Sequence, residues 1–410
     1  MEPGKPLHGP RGHAPARRGR DRGSEGALPR RRAREQPVAA VAAPSRPLRV
    51  ALLTSARAWR GSGVSLSHIA RGLAARGHTV QLLSTTPPVT AGFAAAGLPV
   101  KELPIHDTGC AEARRLARAL AAQQSDVLVA ETPRDVRLGA LASFARRFAL
   151  VYSYNVNRAV PPRDPIMRLA YRRVRLTIFR THTGEREVLA SAPFMGRPPH
   201  RVIHEGVDVA LFRPDPQAGR AFRARHGLGD RPFLLAVGAL EREKRYDWIL
   251  DALARLGPRP PRPPHPPLLV IRGSGSLEAA VRTQAERLGV EVQLLGFLPA
   301  DELAAAYNAA SCLVHVCPVE TFGLTVAEAM ACGRPVVAVA SGALPEVVDG
   351  VGVLAPADDP AAFAEAVRAL LADPARAAAL GAAARDRAVD AFSMERMGRE
   401  YGEALEALPR

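Results

Sequence analysis

Short apolar runs alternate with segments of helical periodicity along most of the chain. The runs at residues 48–53, 79–83, 126–130 and 149–154 are mostly apolar, as in parallel strands that are buried on both faces. Segments with apolar residues three or four positions apart lie between them, at 67–76, 112–123 and 138–148. Strands that alternate with helices predict an α/β fold with a doubly wound parallel sheet.

The same alternation starts again near residue 231. Apolar runs at 233–237, 268–271, 291–295, 311–316 and 336–339 predict strands, and helical segments separate them. Between the two series, Gly206, Asp208 and Pro214 are typical of a linker. A chain of 410 residues is long enough for two domains of ordinary size, and we place them at 47–205 and 206–389.

The N-terminal tail, residues 1–46, is rich in Arg and Pro and has no periodic apolar face, so we predict that it is disordered. Residues 1–49 hold twelve basic and four acidic residues, which is half of the net charge of +16. No aromatic residue is interleaved with these arginines, so a platform for stacking nucleic-acid bases is not predicted. We favour a dispensable extension; electrostatic binding of nucleic acid or anionic lipid is the alternative.

The four cysteines form no Cys-x2-Cys pair, and we predict small buried residues in a reducing cytosol, with no metal site. No apolar run reaches membrane-spanning length, and no N-terminal segment has the composition of a secretion signal. We therefore expect a cytoplasmic protein.

Two carboxylates, Glu320 and Glu328, flank the predicted start of a helix at Gly323. The free N–H groups at a helix start attract phosphate, and carboxylates accept hydrogen bonds from sugar hydroxyls. Two glutamates eight positions apart are by themselves more often solvated charges. An anion site with hydroxyl acceptors on either side nevertheless suits a nucleotide-sugar.

Residues 320–337 read Glu-Thr-Phe-Gly-Leu-Thr-Val-Ala-Glu-Ala-Met-Ala-Cys-Gly-Arg-Pro-Val-Val, which resembles the donor-site motif of the retaining glycosyltransferase family 4. The resemblance implies the GT-B fold, in which two Rossmann-like domains face each other across a cleft. It also implies that Glu320 contacts the donor sugar and Glu328 the donor ribose. Further donor-binding positions in this stretch are Phe322, Gly323, Leu324 and Thr325.

Other parts of the predicted second domain resemble the same family. Lys244 matches the lysine that neutralises the departing diphosphate, whereas Ala239 stands at the position of the family's arginine. Arg242 and Arg245 are candidate substitutes for that arginine. The turn at Gly273 and the backbone of Phe297 and Leu298 are the remaining implied donor contacts.

In the first domain, Gly61 and Gly63 stand in a glycine turn that resembles the family's loop between donor and acceptor. The third glycine of a dinucleotide fingerprint is missing, so a dehydrogenase is disfavoured. Asn155 stands where many members have a histidine that faces the reacting centre. An asparagine side chain can hydrogen-bond an acceptor sugar, but it cannot shuttle protons.

Residues 165–179 have apolar positions on one side and Arg168, Arg172 and Arg175 on the other, which predicts an amphipathic helix. Two interpretations stand: a solvated basic face, which is the commoner case, or peripheral contact with an anionic membrane. The segment 258–267 is proline-rich, and we interpret it as a stiff surface insertion.

The resemblance implies transfer of a hexose-type sugar from UDP-, GDP- or a related nucleotide-sugar to an acceptor, with retention and without a metal or other cofactor. It further implies that 47–205 is the acceptor domain, that 206–389 is the donor domain, and that a final helix, 390–410, crosses back to the acceptor domain. Ala239 and Asn155 favour one alternative, a catalytically impaired nucleotide-sugar-binding protein. A phosphorylase of the same fold and an interaction protein that uses the basic tail are the other two.

Overall fold

The computed structural model describes residues 46–155, 164–256 and 267–409. The predictions for residues 1–45 and 258–266 lie outside the described residues. The described part of the chain contains two sheets, and all strand pairs within each sheet are parallel.

The first sheet has seven strands in the order β3-β2-β1-β4-β5-β6-β7. These are β1 (Arg49–Thr54), β2 (Thr79–Ser84), β3 (Val100–Glu102), β4 (Val127–Ala130), β5 (Ala149–Ser153), β6 (Val174–Phe179) and β7 (His200–Val202). Its helices are α1 (Gly61–Ala75), α2 (Pro87–Ala95), α3 (Cys110–Ala122), α4 (Pro133–Ala142), α5 (Pro165–Tyr171) and α6 (His182–Ser191). The order changes direction between β1 and β4, so the loops after these strands diverge and leave a crevice at the carboxyl edge.

The second sheet has six strands in the order β10-β9-β8-β11-β12-β13. These are β8 (Phe233–Val237), β9 (Leu268–Arg272), β10 (Val292–Gly296), β11 (Cys312–His315), β12 (Val336–Val339) and β13 (Val353–Ala355). Its helices are α7 (Pro216–Arg225), α8 (Tyr246–Ala254), α9 (Glu278–Leu288), α10 (Ala300–Ala309), α11 (Leu324–Ala331), α12 (Leu344–Val348), α13 (Pro360–Ala372) and α14 (Pro374–Phe392). Here the order changes direction between β8 and β11, and every residue of these two strands is buried.

The last helix, α15 (Met394–Glu406), packs against α1 of the first domain, by which we mean the first sheet with its helices. The two helices cross at glycines: a Cβ added to Gly398 would lie 2.6 Å from the Cα of Gly72. Only residues without a side chain allow such a close approach. Farther along α15, the hydroxyl of Tyr401 lies 3.0 Å from that of Ser153 at the end of β5.

The prediction of one helix over residues 165–179 is wrong. Helix α5 ends at Tyr171, and β6 begins at Val174 and lies between β5 and β7. Val174, Thr177 and Ile178 are β-branched, and such residues are favoured in a buried strand. Periodicity alone does not separate a short apolar strand from a helical segment. Arg172 and Arg175 therefore do not lie on one helix face with Arg168.

One smaller difference concerns the exposure of a cysteine. Cys110 is exposed at the start of α3, whereas Cys312, Cys317 and Cys332 are buried as predicted. Within the described ranges, no helix has the length and the apolar composition that crossing a bilayer requires.

Candidate active site

Lys244 and Glu320 meet at the carboxyl edge of the second sheet, where the strand order changes direction. Lys244 follows β8 in a short 3-10 helix, Arg242–Lys244, and Glu320 follows β11. Because β8 and β11 are hydrogen-bonded neighbours, the two loops come together, and Lys244 Nζ lies 2.8 Å from Glu320 Oε2. Crevices at such points are the usual ligand sites of open parallel sheets.

The charges of this pair stabilise each other. Burial, the largest single effect, lowers the pKa of Lys244, but Glu320 together with Cys317 and Tyr246 outweighs it, and the net pKa is raised. Burial raises the pKa of Glu320, whereas Lys244 and His315 together lower it well below its usual range. Both groups are therefore ionised near neutral pH, and the site presents a fixed cation beside a fixed carboxylate.

Two buried residues that the sequence analysis did not select complete this cluster. His315 Nε2 lies 3.1 Å from Glu320 Oε2, and the buried Cys317 thiol lies close to the same carboxylate. The ligand-type atoms of His315, Cys317 and Glu320 all lie within 4.8 Å of one another. These are metal-binding residue types, but a cation placed there would compete with the Lys244 ammonium, which already lies beside the same carboxylate oxygen. The sequence did contain a clue to these two residues: His315 and Cys317 stand two positions apart at the end of a predicted strand.

Helix α11 begins beside Glu320. Gly323, the residue before the helix, has a φ of +96°, a left-handed conformation that favours glycine. Phe322 is buried and packs against His204 and Phe392, with ring centroids 6.1 and 5.2 Å away. This packing fixes the loop that carries the first N–H groups of α11, where Leu324 and Thr325 are half-buried.

Glu328 lies in the second turn of α11 and is only 5% exposed. The hydroxyl of Tyr307 donates a 2.8 Å hydrogen bond to its Oε2. Burial raises the pKa of Glu328 to about 7, although Tyr307 and Arg272 act in the opposite direction. Glu328 is thus a buried carboxyl group that is close to its charge transition at neutral pH.

Arg272, at the end of β9, was not selected from the sequence either. Its Nη2 donates to the backbone oxygen of Leu298 at 2.9 Å, and its guanidinium lies 4.5 Å from the centroid of the Phe297 ring. Phe297 is 67% exposed, so one face of this segment is open. The next residue, Gly273, contacts the turn after β8: a Cβ there would lie 1.8 Å from the Gly238 carbonyl oxygen.

The arginines considered as substitutes for Ala239 are oriented differently. Arg245 donates its Nε hydrogen to Asp247 Oδ1 at 3.1 Å, and Arg242 is exposed. A third cation, Arg60 of the first domain, lies 3.7 Å from Glu241 and 3.8 Å from the carboxylate two residues farther on. Arg60 precedes the predicted glycine loop, so this contact brings that loop next to the Lys244 loop.

The glycine loop itself differs from the prediction. Gly61 and Gly63 lie in the first turn of α1 and not in a turn before it. The absent side chain of Gly63 leaves room for the Trp59 ring, whose nearest atom would lie 2.7 Å from an added Cβ.

Asn155 lies at the carboxyl edge of the first sheet, just after β5, and its Nδ2 donates to Glu131 Oε1 at 2.8 Å. Glu131 follows β4 and is buried. Burial raises its pKa to about 7, although Arg180, 3.7 Å away, and Asn155 lower it. Arg180 also forms a buried ion pair with Glu205. Asn155 is therefore hydrogen-bonded to a titratable carboxyl group.

A second contact joins the two domains. Glu346 of α12 accepts hydrogen bonds from the backbone N–H groups of His182 and Thr183, at 2.8 and 2.9 Å, and lies 3.0 Å from His204 Nε2. A carboxylate at the N-terminus of α6 is electrostatically favourable. The first and second sheets are thus held together next to the Phe322 loop.

Lys244, Glu320 and the start of α11 form one group, with Glu328 in the next turn. The Gly273 turn meets the loop after β8, and the Phe297 segment is attached to it through Arg272. In the first domain, Gly61 and Gly63 follow Arg60 in the chain. Asn155 is held by other residues of the first domain.

Comparison with known proteins shows the family to which the chain belongs. The family model of "Glycosyl transferases group 1" matches residues 220–387, and that of "Glycosyl transferase 4-like domain" matches residues 60–206. A GDP-mannose-dependent alpha-(1-6)-phosphatidylinositol monomannoside mannosyltransferase of Mycolicibacterium smegmatis is 35% identical over 284 residues, which are 65% of this chain and 72% of that protein. A D-inositol 3-phosphate glycosyltransferase of Catenulispora acidiphila is 39% identical over 226 residues, 52% of this chain and 54% of that protein.

Among solved structures, Anabaena HepE in complex with UDP and glucose superposes with a TM-score of 0.76 at 21% identity, covering 88% of this chain and 100% of that chain. A likeness of this kind shows the fold, which is GT-B: two parallel sheets, each with helices on both faces. Taken with the relatives and the two family matches, the chain belongs to glycosyltransferase family 4 and is a glycosyltransferase.

Proposed function

We propose that the protein transfers a hexose-type sugar from a nucleoside diphosphate sugar to an acceptor hydroxyl, with retention at the anomeric carbon and without a metal. The observation that carries this proposal is the Lys244–Glu320 pair beside the start of α11. A cation and free helix N–H groups suit a diphosphate, and a fixed carboxylate suits sugar hydroxyls.

In this proposal each group has one task. Lys244 and the first N–H groups of α11 neutralise the charge that develops on the β-phosphate as the bond from the anomeric carbon to the phosphate oxygen breaks. Glu320 accepts hydrogen bonds from the sugar, and Glu328 from the ribose. The acceptor oxygen bonds to the anomeric carbon on the face that the phosphate leaves, and the acceptor proton passes to the leaving phosphate oxygen. No nucleophile of the enzyme is required.

The relatives suggest which donors to test first. The names of the Mycolicibacterium smegmatis protein and of a 31% identical Mycobacterium tuberculosis protein specify GDP-mannose, whereas the HepE complexes hold UDP or UDP-glucose. We therefore propose a donor panel in which GDP-mannose and UDP-glucose are compared directly.

The test is thermal stabilisation by each donor, followed by detection of released nucleoside diphosphate. A ligand at 100 times its Kd adds about 2.7 kcal/mol of stability. We expect one donor to stabilise the protein and to be turned over when an acceptor is present. Stabilisation without turnover, across a broad set of acceptors, would favour the impaired nucleotide-sugar-binding protein. No stabilisation by any nucleotide-sugar would overturn both.

We also propose that the acceptor lies at an anionic lipid surface. Four large apolar side chains are exposed on two helices that contact each other, α4 and α5, and on the residues after α4. They are Leu141, Phe144, Ile166 and Leu169, which are 37%, 72%, 67% and 64% exposed.

Arginines lie on α5 and on the residues that follow it. Arg173 lies with its guanidinium 4.1 Å from the centroid of the Phe144 ring, and Arg168, Arg172 and Arg175 are exposed. An inserted aliphatic or aromatic side chain contributes on the order of 1–3 kcal/mol, and each arginine near an anionic surface about 1 kcal/mol. An exposed apolar face with arginines nearby is therefore more stable in contact with an anionic bilayer than in contact with water.

A further inference from the structure

His315 lies in the site but has no role in the mechanism proposed above. It is the last residue of β11, in a sheet whose strand ends form the crevice, and it is only 3% exposed. Its Nε2 lies 3.1 Å from Glu320 Oε2. Buried polar side chains are costly unless they are hydrogen-bonded, so this bond satisfies both residues.

The chemistry of the partner determines the state of the imidazole. A carboxylate oxygen only accepts hydrogen bonds, so the hydrogen of a neutral His315 is on Nε2. Burial lowers the pKa of His315, and the nearby Lys244 ammonium lowers it further, against the effect of Glu320. His315 is therefore a neutral donor, and if its ring turned away Glu320 would lose one of its two side-chain donors, leaving Lys244 as the other.

Glu320 Oε2 has two donors with different freedom to move. Lys244 has a flexible four-carbon stem and is 21% exposed, whereas the His315 side chain is 3% exposed and is held by its strand. When a diphosphate enters, the ammonium of Lys244 is attracted to it and shares its charge with the phosphate. His315 then remains as a donor to Glu320 from the end of β11.

We propose that His315 is a positioning residue that keeps Glu320 oriented toward the donor sugar while Lys244 engages the diphosphate. This inference rests on the proposed function, because it assigns the sugar contact to Glu320. It predicts that loss of the imidazole N–H affects recognition of the sugar part of the donor and leaves recognition of the nucleoside diphosphate part intact.

The test uses three variants of the full chain. His315→Leu removes the donor at similar volume, His315→Gln keeps an N–H at a similar reach, and Cys312→Ala changes another buried side chain of the same strand. For each we would measure the Kd of the nucleoside diphosphate, the Kd of the matching nucleotide-sugar, and kcat and KM. If His315→Leu fails to fold, His315→Asn replaces it, because its shorter amide does not reach Glu320.

We expect His315→Leu to bind the nucleoside diphosphate like the wild type, but to lose the affinity added by the sugar and to lower kcat about 10- to 100-fold. His315→Gln should restore most of both, and Cys312→Ala should lose thermal stability with unchanged kcat/KM. The inference is overturned if His315→Leu keeps kcat and the added affinity, or if His315→Gln is as impaired as His315→Leu. Failure of the wild type to bind any nucleotide-sugar would instead contradict the proposed function.

Discussion

Lys244 Nζ and Glu320 Oε2 lie 2.8 Å apart although 76 residues separate them in the chain. Their strands, β8 and β11, are neighbours in the sheet because the chain adds β9 and β10 on one side before it returns to the other. The pair therefore depends on the strand order, and it combines the charge that a diphosphate needs with an acceptor that a sugar needs.

We predict that Lys244→Ala lowers kcat/KM for the donor by about 10²- to 10³-fold, because the developing charge on the leaving phosphate loses its cation. The measurement is steady-state release of nucleoside diphosphate. Lys101→Ala, a change of an exposed lysine on β3, is the matched control and should leave kcat/KM unchanged. Full activity of Lys244→Ala would exclude Lys244 from the reaction.

Glu328→Gln should make the protein more stable at pH 8. The folded state binds a proton at Glu328 more tightly than the unfolded chain does, because burial raises the pKa from 4.5 to about 7. Stability from this group is fully present below about pH 4.5 and is lost as the pH rises through 7. A glutamine does not titrate, so the variant should gain up to about 3 kcal/mol at pH 8 relative to the wild type.

The measurement is the urea midpoint from pH 4.5 to 8. Glu131 and Asp135, whose pKa values burial raises to about 7 and about 6, contribute slopes of the same sign, so the variant's slope becomes shallower without vanishing. Glu365→Gln, at a side chain that is 63% exposed, is the control. The same Glu328 variant should bind the donor about tenfold more weakly or worse, through loss of a charged acceptor. An unchanged pH slope would show that Glu328 is not buried as a neutral carboxyl.

Asn155→Ala should raise KM for the acceptor and leave the thermal shift with the donor unchanged. The Nδ2 of Asn155 donates to Glu131, whereas its Oδ1 is of the type that accepts a hydrogen bond from an acceptor hydroxyl. We expect about a 5- to 20-fold loss of acceptor kcat/KM, as for one neutral hydrogen bond. A change confined to donor binding would indicate that Asn155 contacts the donor and not the acceptor.

Exhaustive dialysis against EDTA should leave turnover unchanged, since in our proposal Lys244 and the N–H groups of α11 carry the charge of the phosphate. The measurement is kcat before and after dialysis, with re-addition of Mg²⁺, Mn²⁺ or Zn²⁺ in separate samples. If activity is lost and one metal restores it, the metal-free proposal is wrong, and His315, Cys317 and Glu320 are the candidate ligands.

The double variant Ile166→Ser/Leu169→Ser should weaken binding to anionic vesicles by more than tenfold, because two exposed apolar side chains no longer insert into lipid. Co-sedimentation with phosphatidylglycerol-containing vesicles measures this, and phosphatidylcholine vesicles test the need for negative charge. Val389→Ser, at a position on α14 that is 37% exposed, is the control. Equal binding by the wild type and the double variant would contradict the lipid-surface proposal.

Much of the fold was accessible from the sequence because its signals are local. The apolar runs that predicted buried strands, such as 336–339, correspond to parallel strands buried on both faces. The start of the helix after Gly323 was predicted, since a glycine followed by a stretch of good helix formers defines it. The prediction for 165–179 failed because apolar periodicity alone does not separate a short buried strand from a helical segment.

By itself, the sequence determined the alternation of strands and helices, the family motif around Glu320 and the identity of the lysine that faces it. Only the tertiary structure decided that His315 and Cys317 surround Glu320, that Tyr307 pairs with Glu328, that Arg272 holds the Phe297 segment and that Glu131 stands behind Asn155. The reason is physical: neighbours in a parallel sheet are distant in the chain, and the burial that shifts a pKa exists only after both faces of the sheet have been covered.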